Sequence, residues 1–153
     1  MKNSELKVFS AFLSHQQTLI RKMIEEISAT TPKSRESLSH LGYLLHNLYN
    51  ALEDLFQEVA RTVENRVEDP GRFHRELLKR MALEIHGVRP ALLSEPVFRL
   101  LNELRGFRHV FRHAYEYELD PEKLAALKHR LVSHWSLLIE DLERFQVFLH
   151  SQF

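Results

Sequence analysis

The sequence predicts an all-α protein, an up-and-down bundle of four long helices plus a short one. Large apolar residues recur three and four positions apart over long stretches, and no segment alternates apolar and polar residues as a strand would. Five prolines divide the chain into pieces of helical length, because proline interrupts a helix interior. At 153 residues the chain fits one domain, which we expect to cover positions 1–153.

The first two predicted helices are long and amphipathic. The first spans about Ser4 to Ser28, with its apolar residues mostly on one face. The second spans about Ser37 to Glu64, and its spacing of three and four predicts the apolar seam of a bundle. The apolar residues of this seam are Leu38, Leu41, Leu45, Leu48, Leu52, Leu55 and Val59.

Three further helices complete the predicted bundle. The third runs from Arg72 to Ile85 and ends near Gly87, since glycine adopts the left-handed conformation common after a helix. The fourth begins near Pro96, which suits a first helical turn, and extends to roughly Leu119. Asp120 and Pro121 form a cap and a first-turn proline that begin a long fifth helix.

Composition excludes several classes of function. Lys plus Arg equals Asp plus Glu at 21 each, so no overall field attracts the chain to nucleic acid or to a membrane. The absence of cysteine excludes disulfides, thiolate catalysis and cysteine-ligated metals. A targeting segment and an apolar run of about 18 residues are both missing, so we expect a cytoplasmic protein with no membrane partner.

Positions 108–115 read Arg-His-Val-Phe-Arg-His-Ala-Tyr and are the strongest indication of function. At about 100° per residue, one arc of the fourth helix is apolar and is assigned to the core. It contains Leu100, Leu104, Phe107, Val110, Phe111 and Ala114. The opposite arc is rich in cations and is expected to be a local basic surface. It contains Arg105, Arg108, His109, Arg112, His113, Tyr115 and Glu116.

Arginine and histidine together suit cleavage of a phosphodiester. A guanidinium binds phosphate bidentately and stays charged, whereas an imidazole exchanges a proton near neutral pH. Since the chain lacks clustered carboxylates for magnesium, we expect metal-independent attack by a ribose 2′-hydroxyl, which requires RNA rather than DNA. His113 would be the general base or acid, and Arg108 would stabilise charge on the pentacovalent phosphorus, with no cofactor.

The spacing of this pair presents a geometric difficulty. Residues five apart on a straight helix differ by roughly 140° in direction and by about 7.5 Å in height, so one helix alone brings them together poorly. Either the helix is distorted between Gly106 and Tyr115, or a two-fold dimer brings two copies of the motif into one cleft. We prefer the dimer.

The pattern Arg108-x4-His113-x-Tyr115 on the penultimate long helix of an all-α domain resembles the HEPN superfamily, and its extra tyrosine resembles the HepT toxins. We expect the resemblance to span the whole chain. It implies a type VII-like toxin, a dimeric endoribonuclease with catalytic Arg108 and His113. It also implies a minimal nucleotidyltransferase antitoxin, MntA, as partner. That enzyme would transfer AMP to Tyr115, where bulk and negative charge would block the cleft.

Further residues near the motif are candidates for supporting roles. Arg105, His109 and Arg112 could bind the substrate or the partner. A second tyrosine, Tyr117, could compete as the modified residue, although its offset from His113 does not match the family pattern.

Two other interpretations stay open from the residues alone. The first is a non-catalytic helical module that binds a nucleotidyltransferase or RNA through the basic arc. The second is a zinc site, because His109 and His113 are four apart and Glu116 could add a carboxylate, but the surrounding cations disfavour a metal. A second pair of this spacing, Arg35 and His40, lies after a predicted loop and lacks the following tyrosine.

Overall fold

The protein is an all-α bundle in the computed structural model, which describes residues 3–65, 73–113 and 118–153. Its helices are α1 (Asn3–Ala29), α2 (Arg35–Thr62), α3 (Phe73–Met81), α4 (Glu95–Arg112) and α5 (Pro121–His150). The predicted fold class is therefore confirmed. Over these ranges, none of the helices has the length and apolar character needed to cross a membrane.

Helix α2 is the centre of the bundle, because it packs against all four other helices. The predicted leucine seam is confirmed along most of its length, and only Leu38 at its start is partly exposed. The fully buried members of this seam are Leu41, Leu45, Leu48, Leu52, Leu55 and Val59. Burial of these side chains is the main stabilising contribution to the fold.

Two helices begin at capping residues. Helix α2 begins two residues before the predicted Ser37, because Ser34 and Ser37 form a reciprocal capping box. The Ser37 N–H donates to Ser34 Oγ at 3.1 Å, and the Ser34 N–H donates to Ser37 Oγ at 2.8 Å. The predicted cap of α5 is confirmed, since the Asp120 carboxylate accepts from the N–H groups of Glu122 and Lys123.

Helix α3 is shorter than predicted and ends at Met81 instead of Ile85. Its end is capped by the chain itself, because the Leu92 N–H donates to the Met81 carbonyl at 2.9 Å. Gly87 does adopt a positive φ of 78°, but in a tight turn closed by backbone hydrogen bonds between Ile85 and Arg89. The prediction that Gly87 terminates the helix was therefore wrong.

Helix α4 ends at Arg112, and the prediction that it extends to Leu119 was wrong. His113 leaves the helical region with φ −109° and ψ 19°, and residues 118–120 are not helical. Leu119 lies instead against Gly42 of α2, and Asp120 takes the extended conformation of the α5 cap. Residues 118–119, the end of the predicted helix, thus belong to the connection that leads into α5.

A buried cluster of charges attaches the connector after α3 to the end of α2. The carboxylate of Glu64 is bound by the guanidinium groups of Arg80 and Arg89, the latter at 2.6 Å. The fully buried side chain of Arg89 also donates to the Leu83 carbonyl at 2.9 Å. Because charges and carbonyls are all paired here, the segment that leads into α4 is held in a defined position.

Helix α4 is fixed against α5 as well. At its start, the buried Asp141 carboxylate accepts from the N–H and the hydroxyl of Ser94, both at 2.8 Å. Farther along, Arg130 of α5 donates to Glu103 at 2.7 Å. The buried Asp141 contact fixes the start of α4, which carries the predicted motif, whereas the exposed bridge to Glu103 contributes little.

Two glycine substitutions test the close packing of α2 against α4. A Cβ at Gly42 would lie 2.8 Å from Cε1 of Phe111, whereas a Cβ at Gly106 would have no described atom within 4 Å. We expect Gly106→Ala to stabilise the protein by about 0.5–1 kcal/mol, because alanine favours a helix. Gly42→Ala gains the same propensity but overpacks the contact at roughly 1–3 kcal/mol, so a net loss of about 1 kcal/mol is expected.

Urea unfolding followed by circular dichroism measures both free energies of unfolding. Equal stabilisation by the two substitutions would contradict the contact between Phe111 and α2.

Candidate active site

Arg108 turns inward against α2. Its Nη1 donates to Glu53 Oε2 at 2.9 Å, and its guanidinium carbon lies 5.5 Å from the centre of the Tyr49 ring. Only 14% of the Arg108 side chain and 7% of the Glu53 side chain are exposed. The prediction that Arg108 lies on the solvent side of α4 was therefore wrong.

The buried stripe of α4 lies at a different angle from the predicted one. Leu100 and Leu104 are buried as expected, but Val110, which was assigned to the core, is 47% exposed. Phe107 is only partly buried. The buried stripe runs instead from Leu104 to Arg108, which is four residues farther along the helix. Arg108 therefore occupies a largely buried position at which helical spacing would predict an apolar residue such as leucine. Ala114, the last residue of the predicted arc, lies outside the described residues.

The pair formed by Arg108 and Glu53 is energetically demanding because both charges are largely removed from water. Removing one partner of such a pair costs about 3–5 kcal/mol, since the other charge stays buried without compensation. Tyr49 lies beneath the guanidinium and is fully buried. Burial and then the charge of Glu53 raise the pKa of Tyr49 far above its ordinary value. The ring therefore stays a neutral phenol, and its face attracts the cation.

His46 lies beside this pair, on the same side of α2. Its Nε2 accepts from the Asn50 amide at 3.2 Å, and its ring centre lies 5.4 Å from that of Phe111. Burial, followed by the charges of Arg108 and Arg112, lowers the pKa of His46 below 6.5. The imidazole is consequently neutral at pH 7 and packs as an aromatic ring between the helices.

His113 lies at the end of α4 and is half-buried. Its ring centre is 4.9 Å from that of His109 in an edge-on arrangement, and His109 is exposed. His113 thus lies on the side of α4 that carries His109, whereas Arg108 turns toward α2. Within one chain Arg108 thus contacts Glu53 of α2, while His113 contacts the exposed His109.

Two further cations lie about one turn to either side of Arg108. Arg105 is half-buried and donates to Asn102 Oδ1 at 3.0 Å, and Arg112 is exposed. The charge of Arg105 reaches Tyr49, and that of Arg112 reaches His46. A row of three guanidinium groups therefore follows the seam between α2 and α4, which supports a local positive field on a neutral chain.

Three residues of the predicted site lie outside the described part of the chain. They are Tyr115, the predicted acceptor of AMP, Tyr117 and Glu116. The proposed zinc ligand set includes Glu116 and so is not described as a whole. Across the ranges that are described, no group of three or more histidine, aspartate or glutamate side chains is arranged to bind a metal ion.

The contribution of α2 to this site was not predicted from the sequence. The residues concerned are His46, Tyr49, Asn50 and Glu53. Three of them directly follow the seam leucines Leu45, Leu48 and Leu52, so they form a polar and aromatic stripe beside the apolar one. Such a stripe next to a buried seam indicates side chains that must find partners inside the bundle, and it was readable from the sequence.

A bundle of this architecture, with arginine and histidine at the end of its penultimate long helix, defines a HEPN-like helical domain. A family model described as HepT-like protein matches residues 40–149, which include most of α2, all of α3 and α4, and nearly all of α5. The protein belongs to this HepT-like family, as the resemblance predicted. The family suggests a HEPN-type ribonuclease of a toxin–antitoxin pair as the class of activity. Comparisons with curated proteins and with solved structures found no significant match.

The environment of His46 predicts a pH dependence of stability. Its pKa is lowered in the folded protein and lies near ~6.5 when the chain is unfolded, so the unfolded state binds more protons between these values. The free energy of unfolding should therefore fall as pH decreases from about 6.5, and the His46 contribution to this slope should vanish in His46→Phe. The exposed His129 provides the control His129→Phe.

Melting temperatures between pH 5 and 7.5 measure the slope for the wild type and both variants. A His46→Phe slope equal to that of the wild type would show that His46 titrates normally.

Proposed function

We propose that this protein is the toxin of a type VII-like toxin–antitoxin pair, a cytoplasmic and metal-independent endoribonuclease in which Arg108 and His113 are catalytic. The observation that carries the proposal is the fixed position of Arg108, whose guanidinium is bound by Glu53 and lies over Tyr49 of α2, on the helix that ends at His113. Membership of the HepT-like family supports the same class of reaction.

The proposed chemistry is an intramolecular transesterification. The ribose 2′-oxygen attacks the adjacent phosphorus and loses its proton, while the bond to the 5′-oxygen breaks and that oxygen gains a proton. His113 transfers one of these protons, and the guanidinium of Arg108 stabilises the added negative charge on the phosphoryl oxygens. The products are a 2′,3′-cyclic phosphate and a 5′-hydroxyl, with no metal or cofactor required.

The different directions of Arg108 and His113 support a two-fold dimer. One chain presents the guanidinium toward its own α2 and the imidazole toward the side of His109. An isologous contact between two copies of α4 would place the motif of each chain beside that of the other. Two imidazoles would then be available, one to accept a proton and one to donate a proton. Arg105, His109 and Arg112 would bind the RNA phosphates around the cleft.

We further propose that an MntA-like minimal nucleotidyltransferase neutralises the toxin by AMPylation of Tyr115. The acceptor follows His113 by two positions, so the added nucleotide would lie next to the catalytic imidazole. A phosphodiester there adds bulk and a negative charge, and both oppose the entry of an RNA phosphate.

Cleavage of total RNA in EDTA tests the reaction. The unmodified wild type should produce ends with a 2′,3′-cyclic phosphate, and His113→Ala should lose roughly 10²–10⁴-fold in rate, the usual contribution of general acid–base catalysis. Arg108→Lys, which retains a cation for Glu53, should also be strongly impaired because lysine cannot bind phosphate bidentately. The exposed His129→Ala is the control and should retain full activity.

Equal cleavage by the wild type and His113→Ala would exclude this site. Absence of cleavage by the unmodified wild type, with RNA or nucleotidyltransferase binding retained, would favour the non-catalytic binding module.

Modification by a minimal nucleotidyltransferase and ATP tests the regulatory tyrosine. The wild type and Tyr117→Phe should gain AMP by mass spectrometry and lose ribonuclease activity. Tyr115→Phe should stay unmodified and active, because it lacks the phenol oxygen that receives the nucleotide. Transfer of AMP to Tyr115→Phe at the wild-type level would assign the acceptor elsewhere.

A further inference from the structure

Glu53 lies outside the Arg108-x4-His113-x-Tyr115 motif. Its carboxylate nevertheless contacts the guanidinium of Arg108, to which we assign charge stabilisation in the reaction. We propose that Glu53 is a positioning residue, which acts on the reaction only through Arg108. This inference rests on the proposed function, because it assigns a purpose to the orientation of a catalytic arginine.

The geometry of the contact defines one position for the guanidinium. Glu53 accepts from Nη1 at 2.9 Å, and the Tyr49 ring lies 5.5 Å from the guanidinium carbon. The carboxylate therefore fixes one edge of the group and the ring fixes the side on which it lies. Both partners are buried side chains of α2, which is packed against all four other helices, so the bundle supports the position of each.

Stability alone does not explain a glutamate at this position. Its neighbour Leu52 and the preceding Leu48 are fully buried, and Glu53 itself is 6% exposed. At such a place a well-packed apolar residue opposite an apolar partner is as stabilising as a buried ion pair, or more so. An ion pair differs from apolar packing in being directional, since the carboxylate binds the guanidinium in a defined orientation.

The positive field at the seam persists although Glu53 is present. Arg105 and Arg112 lie on either side of Arg108, while Asp54 adds a second carboxylate nearby on α2. Burial is the main cause that lowers the pKa of His46, and the charges of Arg108 and Arg112 lower that pKa further, so both cations act at that point. Glu53 therefore orients Arg108 without removing the attraction for an RNA phosphate.

Two variants of Glu53 distinguish orientation from charge. Glu53→Gln retains an oxygen that accepts from Nη1, and it should keep most of the wild-type kcat. Glu53→Leu removes the acceptor and should lower kcat by roughly 10²-fold, the effect of misplacing a catalytic group by about 1 Å, with a smaller change in KM. Glu103→Leu breaks the exposed bridge to Arg130 and is the matched control, which should retain wild-type kcat.

Each variant is first checked for folding by circular dichroism and urea unfolding. If Glu53→Leu does not fold, the test uses Glu53→Gln, which should keep most of the wild-type kcat, and a loss of roughly 10²-fold in this variant would overturn the proposal. Wild-type kcat in a folded Glu53→Leu would overturn the proposal.

A double variant tests whether Glu53 acts through Arg108. In the Arg108→Lys background, Glu53→Leu should cause little additional loss of RNA cleavage, because the guanidinium that it positions is already absent. The same loss as in the wild-type background would overturn the proposal, since Glu53 would then act independently.

Side-chain NMR separates this inference from the ribonuclease assignment because it requires no RNA. In the wild type, the Nη signals of Arg108, assigned with Arg108→Lys, should show slow rotation of the guanidinium. In Glu53→Leu this rotation should become fast, while Glu103→Leu should leave it slow. Unchanged rotation in Glu53→Leu overturns positioning whatever the cleavage result. If the wild type cleaves no RNA but guanidinium rotation becomes fast in Glu53→Leu, the ribonuclease proposal is overturned and the contact between Glu53 and Arg108 is confirmed.

Discussion

The position of α2 constrains the rest of the molecule. Because α2 packs against four other helices, about half of its residues are buried, and their side chains must be apolar or internally paired. The leucine seam meets this requirement on one side. On the adjacent side, the polar side chains have partners. Glu53 and Tyr49 contact Arg108 of α4, and His46 is hydrogen-bonded to Asn50 within α2. The buried carboxylate of Glu53 requires a cation, and Arg108 supplies it.

The contact between Glu53 and Arg108 is possible only because α4 is fixed at several points. Asp141 binds its first residues, and the Glu64 cluster fixes the connector that leads into it. At its far end, the absence of a side chain at Gly42 allows Phe111 to approach α2 closely. The direction of α4 and its rotation about its own axis are therefore set by contacts distributed along its length. Arg108 is placed where a leucine would otherwise continue the buried stripe.

The sequence predicted the helices well because their information is local. The spacing of Leu41, Leu45 and Leu48 and the cap at Asp120 each depend on residues within a few positions. The end of α4 was not predicted in this way, and Leu119 makes a long-range contact with α2 that local spacing does not reveal. For the same reason Arg108 was predicted to face solvent, because its partner Glu53 lies 55 positions earlier in the sequence. The fold was therefore more accessible from the sequence than the environment of the site.

The buried arginine also bears on how a neutral chain could bind RNA. An exposed guanidinium is hydrated and mobile, and its attraction for phosphate is screened by salt. Arg108 is instead largely dehydrated before any ligand arrives, because the protein already surrounds it with Tyr49 and Glu53. The conformational entropy of the Arg108 side chain is therefore lost when the protein folds, so binding an RNA phosphate costs little further entropy at this side chain. A site of this kind needs few cations, which agrees with equal numbers of acidic and basic residues in the whole chain.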